Sequence, residues 1–399
     1  MEIDEERQQK AREYSRKRLR LSFIGMGVAA ACLLIVLGAG LDKWLRNLLQ
    51  SAAGRAPLLA WQPLPGWYPL QILVYFLIII LAYQIISAPQ AYYGGYVLPH
   101  RYGISVMSFK AWLADLGKEF VLGLVLEAAV ISLIYALLAF QPAWWWLWVG
   151  LVLFFFSVVM ANLAPVLIFP LFYKFTPLPD GELKQRLLAL AERANTRVRG
   201  VFTMQMSRRT TAANAALMGL GNTRRIVIGD TMVDRYTPDE IEVVLAHELG
   251  HHVHHDIWKL IISQAVLTFG GLYVANLLLH LVVAQRYYLS LTDPANMPFL
   301  FLLMGLFGLV VMPLGNSYSR AIEYQADEYA LQATHKVEAF KSAMTRLANQ
   351  NLAEVEPPAI VELLFHSHPS IRKRLKHADA FAARDNHGSA FNASISAPN

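Results

Sequence analysis

"AHELGHHVHHD", residues 246–256, runs straight into "IWKLIISQAVLTFGGLYVANLLLHLVV", residues 257–283. The first stretch holds five histidines: His247, His251, His252, His254 and His255. The second is an apolar run long enough to cross a bilayer. A ligand-rich segment therefore ends where a membrane segment begins. The fold must place a polar, chemistry-bearing unit at a membrane surface.

Further apolar runs lie at about 21–41, 68–88, 119–140, 143–172 and 297–315. Each has roughly 19 or more residues with few charges, the length a membrane helix requires. Hydrophobic residues make up 55 % of the chain and charged residues 16 %, against about a quarter charged in a soluble domain. The sequence is that of a polytopic, mainly α-helical membrane protein. It divides into a basic N-terminus (1–20), four spans (21–174), a polar segment with the histidines (175–256), two spans (257–316), a second polar segment (317–383) and a small, polar tail (384–399) expected to be disordered.

The first twenty residues carry seven Lys or Arg. By the positive-inside rule this puts the N-terminus in the cytoplasm, and six spans then put both polar segments there too. A seventh span has room in 41–60 or in 143–172. The net charge of +6 is the ordinary bias of basic cytoplasmic loops and implies no nucleic acid partner. Cys32, the only cysteine, permits neither an intrachain disulfide nor a thiolate metal site.

Within the polar segment, 181–197 reads as a helix from its leucine period, and "GVFTMQMS" and "RRIVIGDT" read as short strands. Residues 238–256 read as a helix, with Thr237 as cap, Pro238 in the first turn and acidic residues near the N-terminal dipole. On that helix His247-Glu248-Leu249-Gly250-His251 spells H-E-x-x-H. Residues four apart share a face, so His247 and His251 can grip one ion while Glu248 stands beside its water. Zinc suits three nitrogen and oxygen ligands with an open fourth position. The expected third ligand is Glu323 in "SRAIEYQADEYA", with Asp327 one turn on as acceptor for a ligand histidine's other N–H. His252, His254 and His255 are expected near the membrane surface or paired with Asp256.

Five segments, "FPLFYKFTPLPDGEL", "SRRTTAANAALMGLGNTRRIVIGDTM", "DEIEVVLAHELGHH", "SRAIEYQADEYA" and "HSHPSIRKRL", together resemble the membrane zinc metalloproteases that process prenylated CaaX proteins, the Ste24 type. The resemblance spans about residues 70–380. It implies a ring of membrane helices enclosing a chamber, with a zincin-like α+β catalytic domain at the cytoplasmic end and one zinc per chain. It implies that Asn214 clasps the peptide beside the metal, and that His368 and Arg374 face the scissile carbonyl. His252 stands where eukaryotic members often carry Trp. The activity implied is hydrolysis near the C-terminus of prenylated or membrane-associated polypeptides. Two other functions are carried forward: a membrane-protein quality-control protease of broad specificity, and a transporter with a structural zinc. Glu127, inside the third span, is the intramembrane carboxylate that a transporter would use.

Overall fold

The computed structural model describes residues 3–54, 56–63, 67–219 and 221–395. The membrane part comprises α1 (Glu5–Gly38), α2 (Leu41–Ala53), α3 (Pro69–Tyr92), α4 (Leu98–Arg101), α5 (Phe109–Phe140), α6 (Trp145–Leu163) and α7 (Phe169–Phe172). Short π-turns at 93–97 and 164–168 join α3 to α4 and α6 to α7. The polar part contributes β1 (Phe175–Pro177), α8 (Glu182–Arg193), β2 (Val201–Met204), β3 (Ala215–Met218), β4 (Arg225–Gly229), α9 (Asp230–Val233) and α10 (Pro238–Val253). The chain then re-enters the membrane in α11 (Asp256–Ala284) and returns in α12 (Met297–Thr334). It ends in α13 (Val337–Gln350), α14 (Ala359–Phe365) and α15 (Ile371–Ile395).

Among the described residues six helical segments are long and apolar enough to cross a membrane, and each contains an expected run. At most 22 % of any apolar window is buried within the protein, so the rest of that surface is fitted to hydrocarbon. α2 has 13 residues and reaches only about 20 Å, short of a bilayer core; it supplies no seventh span. The six long helices touch in the cycle α1–α3–α5–α6–α11–α12 and back to α1, which closes a ring. Inside it lies an apolar cavity of about 470 Å³ lined by Phe76, Ile131, Trp145, Leu272 and Phe301, with Glu127 at its wall.

The polar part packs around one core built from α8, the sheet, α10, α13 and α15. The strand order is β1-β2-β4-β3, with β2–β4 parallel and the outer pairs antiparallel. Two of these strands were expected. β3 escapes notice because Ala215-Ala216 is poor strand sequence. The tight connection to β4 is its signal: Gly219 has φ +88°, and a Cβ there would lie 2.7 Å from the Thr223 carbonyl oxygen.

Three boundaries differ from expectation. The basic N-terminus is the first half of α1, held to the polar part: Gln8 donates to the Ala353 carbonyl at 3.2 Å and accepts from Val355 N–H at 3.0 Å. The helix expected over 238–256 stops at Val253 and restarts at Asp256, because His255 adopts a left-handed φ of 59°. The tail from 384 continues helical to Ile395; adding residues to an existing helix gains one hydrogen bond per residue fixed. Residues 396–399 lie outside the described residues.

A buried ion cluster fixes α10 against its neighbours. Glu242, with its side chain 8 % exposed, accepts from Arg186 Nε at 3.1 Å and from Lys336 Nζ at 2.8 Å. Burial opposes charge on Glu242, yet Lys336 and Arg186 outweigh it and hold the carboxyl below its ordinary range. The folded pKa is thus lower than the unfolded one. The cluster's contribution is present above the ordinary glutamate range and fades as pH falls through the lowered value. Glu242→Gln should cost roughly 1–3 kcal/mol at neutral pH, with the deficit shrinking on acidification. Thermal unfolding from pH 7 to pH 3 checks this.

Candidate active site

α10 starts cleanly because Thr237 and Glu240 form a capping box: Thr237 N–H donates to Glu240 Oε2 at 2.8 Å, and Glu240 N–H donates to Thr237 Oγ1 at 3.3 Å. Its later turns lie close against α12. Gly250 permits this approach, since a Cβ there would sit 3.1 Å from Ala326 Cα. That contact places Glu323, one turn earlier on α12, opposite His247 and His251.

The three expected ligands converge. Ligand atoms of His247, His251 and Glu323 all lie within 4.8 Å of one another. His247 Nε2 is 3.3 Å from Glu323 Oε2, and His251 Nε2 is 3.5 Å from Glu323 Oε1. The rings stand edge to face, with centroids 4.8 Å apart. Glu323 Oε2 is buried and makes no hydrogen bond. A carboxylate whose two oxygens each face one imidazole nitrogen fits a metal ion, which would take all three residues as ligands.

The outward-facing nitrogens are held from behind. His247 Nδ1–H donates to Asp327 Oδ1 at 2.9 Å, and Asp327 is fully buried. His251 Nδ1–H donates to Asp256 Oδ2 at 3.0 Å, while Lys259 donates to the other Asp256 oxygen at 2.9 Å. Burial opposes protonation of His247, yet Asp327 and Glu323 raise its pKa to about 9 in the metal-free protein. The three extra histidines were expected near the membrane surface or paired with Asp256; the left-handed turn at His255 brings Asp256 onto His251 instead. The sequence signal was available, because each ligand histidine needs an acceptor at its second nitrogen. Asp256→Ala should weaken metal binding about 10- to 100-fold, measured by competition with a metal indicator.

None of the extra histidines joins the ligand set. His254 packs edge-on against Tyr329, ring centroids 5.8 Å apart. His252 and His255 face each other across 6.5 Å.

Glu248 points into a cleft of about 230 Å³ that it shares with Leu217, His251, Ile257, Ile322 and Glu323. Burial pushes its carboxyl above the ordinary range while His247 and His251 act against that, and Leu217 N–H donates to it. Leu217 lies on β3, the edge strand beside the ligands. Asn214, just before β3, is exposed, and its own carbonyl accepts from Gly229 N–H at 2.8 Å. His368, in the turn before α15, has a side chain 62 % exposed with Nε2 3.2 Å from Glu323 Oε1.

Arg374 makes a contact that the sequence did not announce. It is 8 % exposed and grips Asp327 with two nitrogens, Nε to Oδ2 at 2.8 Å and Nη2 to Oδ1 at 2.5 Å. The fully buried Asp327 needs a counter-charge, and Arg374 supplies it from behind His247. Nε and Nη2 are engaged there, and Nη2 also lies 3.3 Å from His247 Nδ1.

Comparisons with known proteins agree with this architecture. The chain is 27 % identical over 404 residues to CAAX prenyl protease 1 of Saccharomyces cerevisiae, covering 95 % of this chain and 87 % of that one. It is 30 % identical to the CAAX prenyl protease 1 homolog of Arabidopsis thaliana, covering 74 % and 70 %. It is 28 % identical to the uncharacterized metalloprotease YhfN of Bacillus subtilis, covering 92 % and 84 %. The crystal structure of S. mikatae Ste24p superposes with a TM-score of 0.78 at 25 % identity, covering 94 % of this chain and 89 % of that one. Residues 1–174 match the CAAX prenyl protease N-terminal family, described as five membrane helices; here that segment holds four helices of spanning length and the shorter α2. Residues 177–382, which include His247, His251 and Glu323, match Peptidase family M48, and the chain belongs to that family of metallopeptidases.

Proposed function

We propose that the protein is an integral-membrane zinc endopeptidase that hydrolyses peptide bonds near the C-terminus of prenylated, CaaX-type polypeptides. The observation that carries this is the convergence of two imidazole nitrogens and a buried, unbonded Glu323 oxygen beside Glu248. His247, His251 and Glu323 would hold one zinc ion. When bound, zinc acidifies water and polarises a carbonyl.

The protein's own groups supply the rest. Glu248 takes the proton of the attacking water and passes it to the leaving amine. The exposed His368 faces the developing oxyanion as a donor. β3 offers its free edge and Asn214 to an extended peptide. Asp327, Asp256 and Arg374 fix the histidine rings. A purely structural metal has no use for a buried carboxylate leaning into an open cleft, which disfavours the transporter reading.

A catalytic site on the cytoplasmic side is supported by α1. Its N-terminal half docks on the polar part through Gln8, and its basic cluster follows directly, so the positive-inside rule applies to both together. The partners are the lipid bilayer and a membrane-associated polypeptide, with no nucleic acid.

The test is zinc content together with hydrolysis of a farnesylated CaaX peptide and its unmodified counterpart, in wild type and Glu248→Gln. About one zinc in each protein, with the farnesylated peptide cleaved faster and only by wild type, is the expected result. Equal cleavage of the two peptides would replace this substrate class with broad membrane-protein clearance.

A further inference from the structure

Residues 211–214 lead into β3 but stand outside its ladder, which begins at Ala215 opposite Ile228. A loop and three side chains hold their backbone. Thr211 N–H donates to the Ile104 carbonyl at 2.9 Å, in the connection between α4 and α5. Gln350 donates to the Thr211 carbonyl at 2.7 Å, and Thr231 donates to the Ala212 carbonyl at 2.7 Å. Ala213, buried at 3 % exposure, is held at both polar groups by one residue. Its N–H donates to Asn351 Oδ1 at 2.8 Å, and its carbonyl accepts from Asn351 Nδ2 at 3.0 Å. A primary amide can accept and donate together, so Asn351 makes the two bonds that a neighbouring strand would make.

Neighbouring residues of a strand turn their backbone groups to opposite sides. Asn214 turns its carbonyl to β4, where Gly229 N–H donates to it at 2.8 Å. Leu217 turns its N–H the other way, to Glu248. Ala213 and Ala215 share that second side with Leu217. Asn351 therefore grips the edge that faces Glu248, two residues ahead of Ala215. Asn351 is itself seated from the membrane part. It caps α13, and Leu352 after it takes a left-handed φ of 48°, which glycine usually supplies at the end of a helix. The Leu352 side chain is buried with Ala11 and Tyr14 of α1 and Leu98 of α4. Gln8 of α1 holds Ala353 and Val355 in the same turn. A leucine kept in a strained turn, with its side chain used as a peg, fixes where the preceding amide points.

We propose that Asn351 is a positioning residue for the peptide substrate: through Ala213 it sets where Asn214 and the free edge of β3 meet the substrate backbone. The inference rests on the reading above, in which that edge and Asn214 take an extended peptide. The Asn351 amide is spent on Ala213, so it acts through that residue and not at the reacting bond. Without the amide, residues 211–214 lose their register while the His–Glu centre keeps its own supports. Affinity for the peptide then falls and the chemical step is kept, which raises KM at constant kcat.

The experiment measures KM, kcat and zinc content of the zinc-replete, detergent-purified full chain with a farnesylated CaaX peptide. The proteins are wild type, Asn351→Ala, Asn351→Asp, Asn214→Ala and the Asn214→Ala, Asn351→Ala double variant. The expected result for Asn351→Ala is a KM about tenfold higher, with kcat and zinc content within about twofold of wild type. Asn351→Asp still accepts from Ala213 N–H but cannot donate to its carbonyl, so its KM should fall between the two. The double variant should be no worse than the poorer single one, because the two residues act as a unit. If Asn351→Ala does not fold, Asn351→Asp decides by the same split. A raised KM in Asn214→Ala with a normal KM in both Asn351 variants overturns the proposal and leaves the peptide reading standing. A normal KM in all of them overturns both. Zinc content and kcat that fall together with the unfolding midpoint in the Asn351 variants also overturn the proposal, because Asn351 then serves the fold alone.

Discussion

Glu248→Gln will keep its metal and lose hydrolysis. The amide has the shape of the carboxylate and still accepts from Leu217 N–H, so the cleft and the three ligands stay in place. What disappears is the proton acceptor, and a positioned general base contributes about 10²–10⁴ in rate. The carboxyl suits that role because burial raises its pKa, moving it from a weak base toward one matched to neutral pH. Metal content and turnover should be measured on the same preparation. A variant that retains more than about a tenth of wild-type turnover would falsify the assignment of Glu248 as the base.

Arg374→Ala will act through the metal and the fold, and a kinetic split separates this from a role at the carbonyl. A donor on the oxyanion, when removed, lowers kcat while the metal stays bound. The observed geometry demands something else. Arg374 is the cation gripping the fully buried Asp327, and removing it strands that carboxylate with His247 alone. Breaking a buried pair from one side costs about 3–5 kcal/mol, and a ligand histidine that loses its fixed partner costs roughly 10- to 100-fold in metal affinity. Expected, then, are a lower unfolding midpoint, weaker zinc retention under chelator challenge, and partial recovery of turnover in excess zinc. Arg374→Lys should recover stability better than geometry, since a single ammonium cannot make both bonds. Normal zinc retention with a collapsed kcat would return Arg374 to the cleft.

The membrane helices were legible because a bilayer imposes a length and a composition that few other structures need. The candidate ligands were legible because helical spacing alone puts His247 with His251 and Glu323 with Asp327. What escaped was set by backbone conformation and long-range charge. No periodicity announces that His255 turns left-handed and delivers Asp256 to His251. The resemblance implies a carbonyl role for Arg374, but no local pattern announces that it also grips a buried carboxylate 47 residues away. β3 was hidden by its alanines, although the glycines after it marked the turn. The docking of Gln8 on Val355 depends on a pairing 347 residues apart, which no local pattern encodes.

α12 runs from the far rim of the ring through the membrane to Glu323 and Asp327, 38 residues in one helix that carries Pro313 within it. Glu323, the proposed carboxylate ligand, is thus mounted on a lever whose fulcrum lies in lipid. From the middle of the span near Gly305 to Glu323 the arm is about 27 Å, so a tilt of about 5° carries Glu323 roughly 2 Å. Helices tilt to match their hydrophobic length to the bilayer, whereas α10 is anchored by its ion cluster in the polar part. Membrane thickness therefore becomes a coordinate of the ligand geometry: in vesicles of graded acyl length, turnover should peak at the thickness that leaves the lever undeflected.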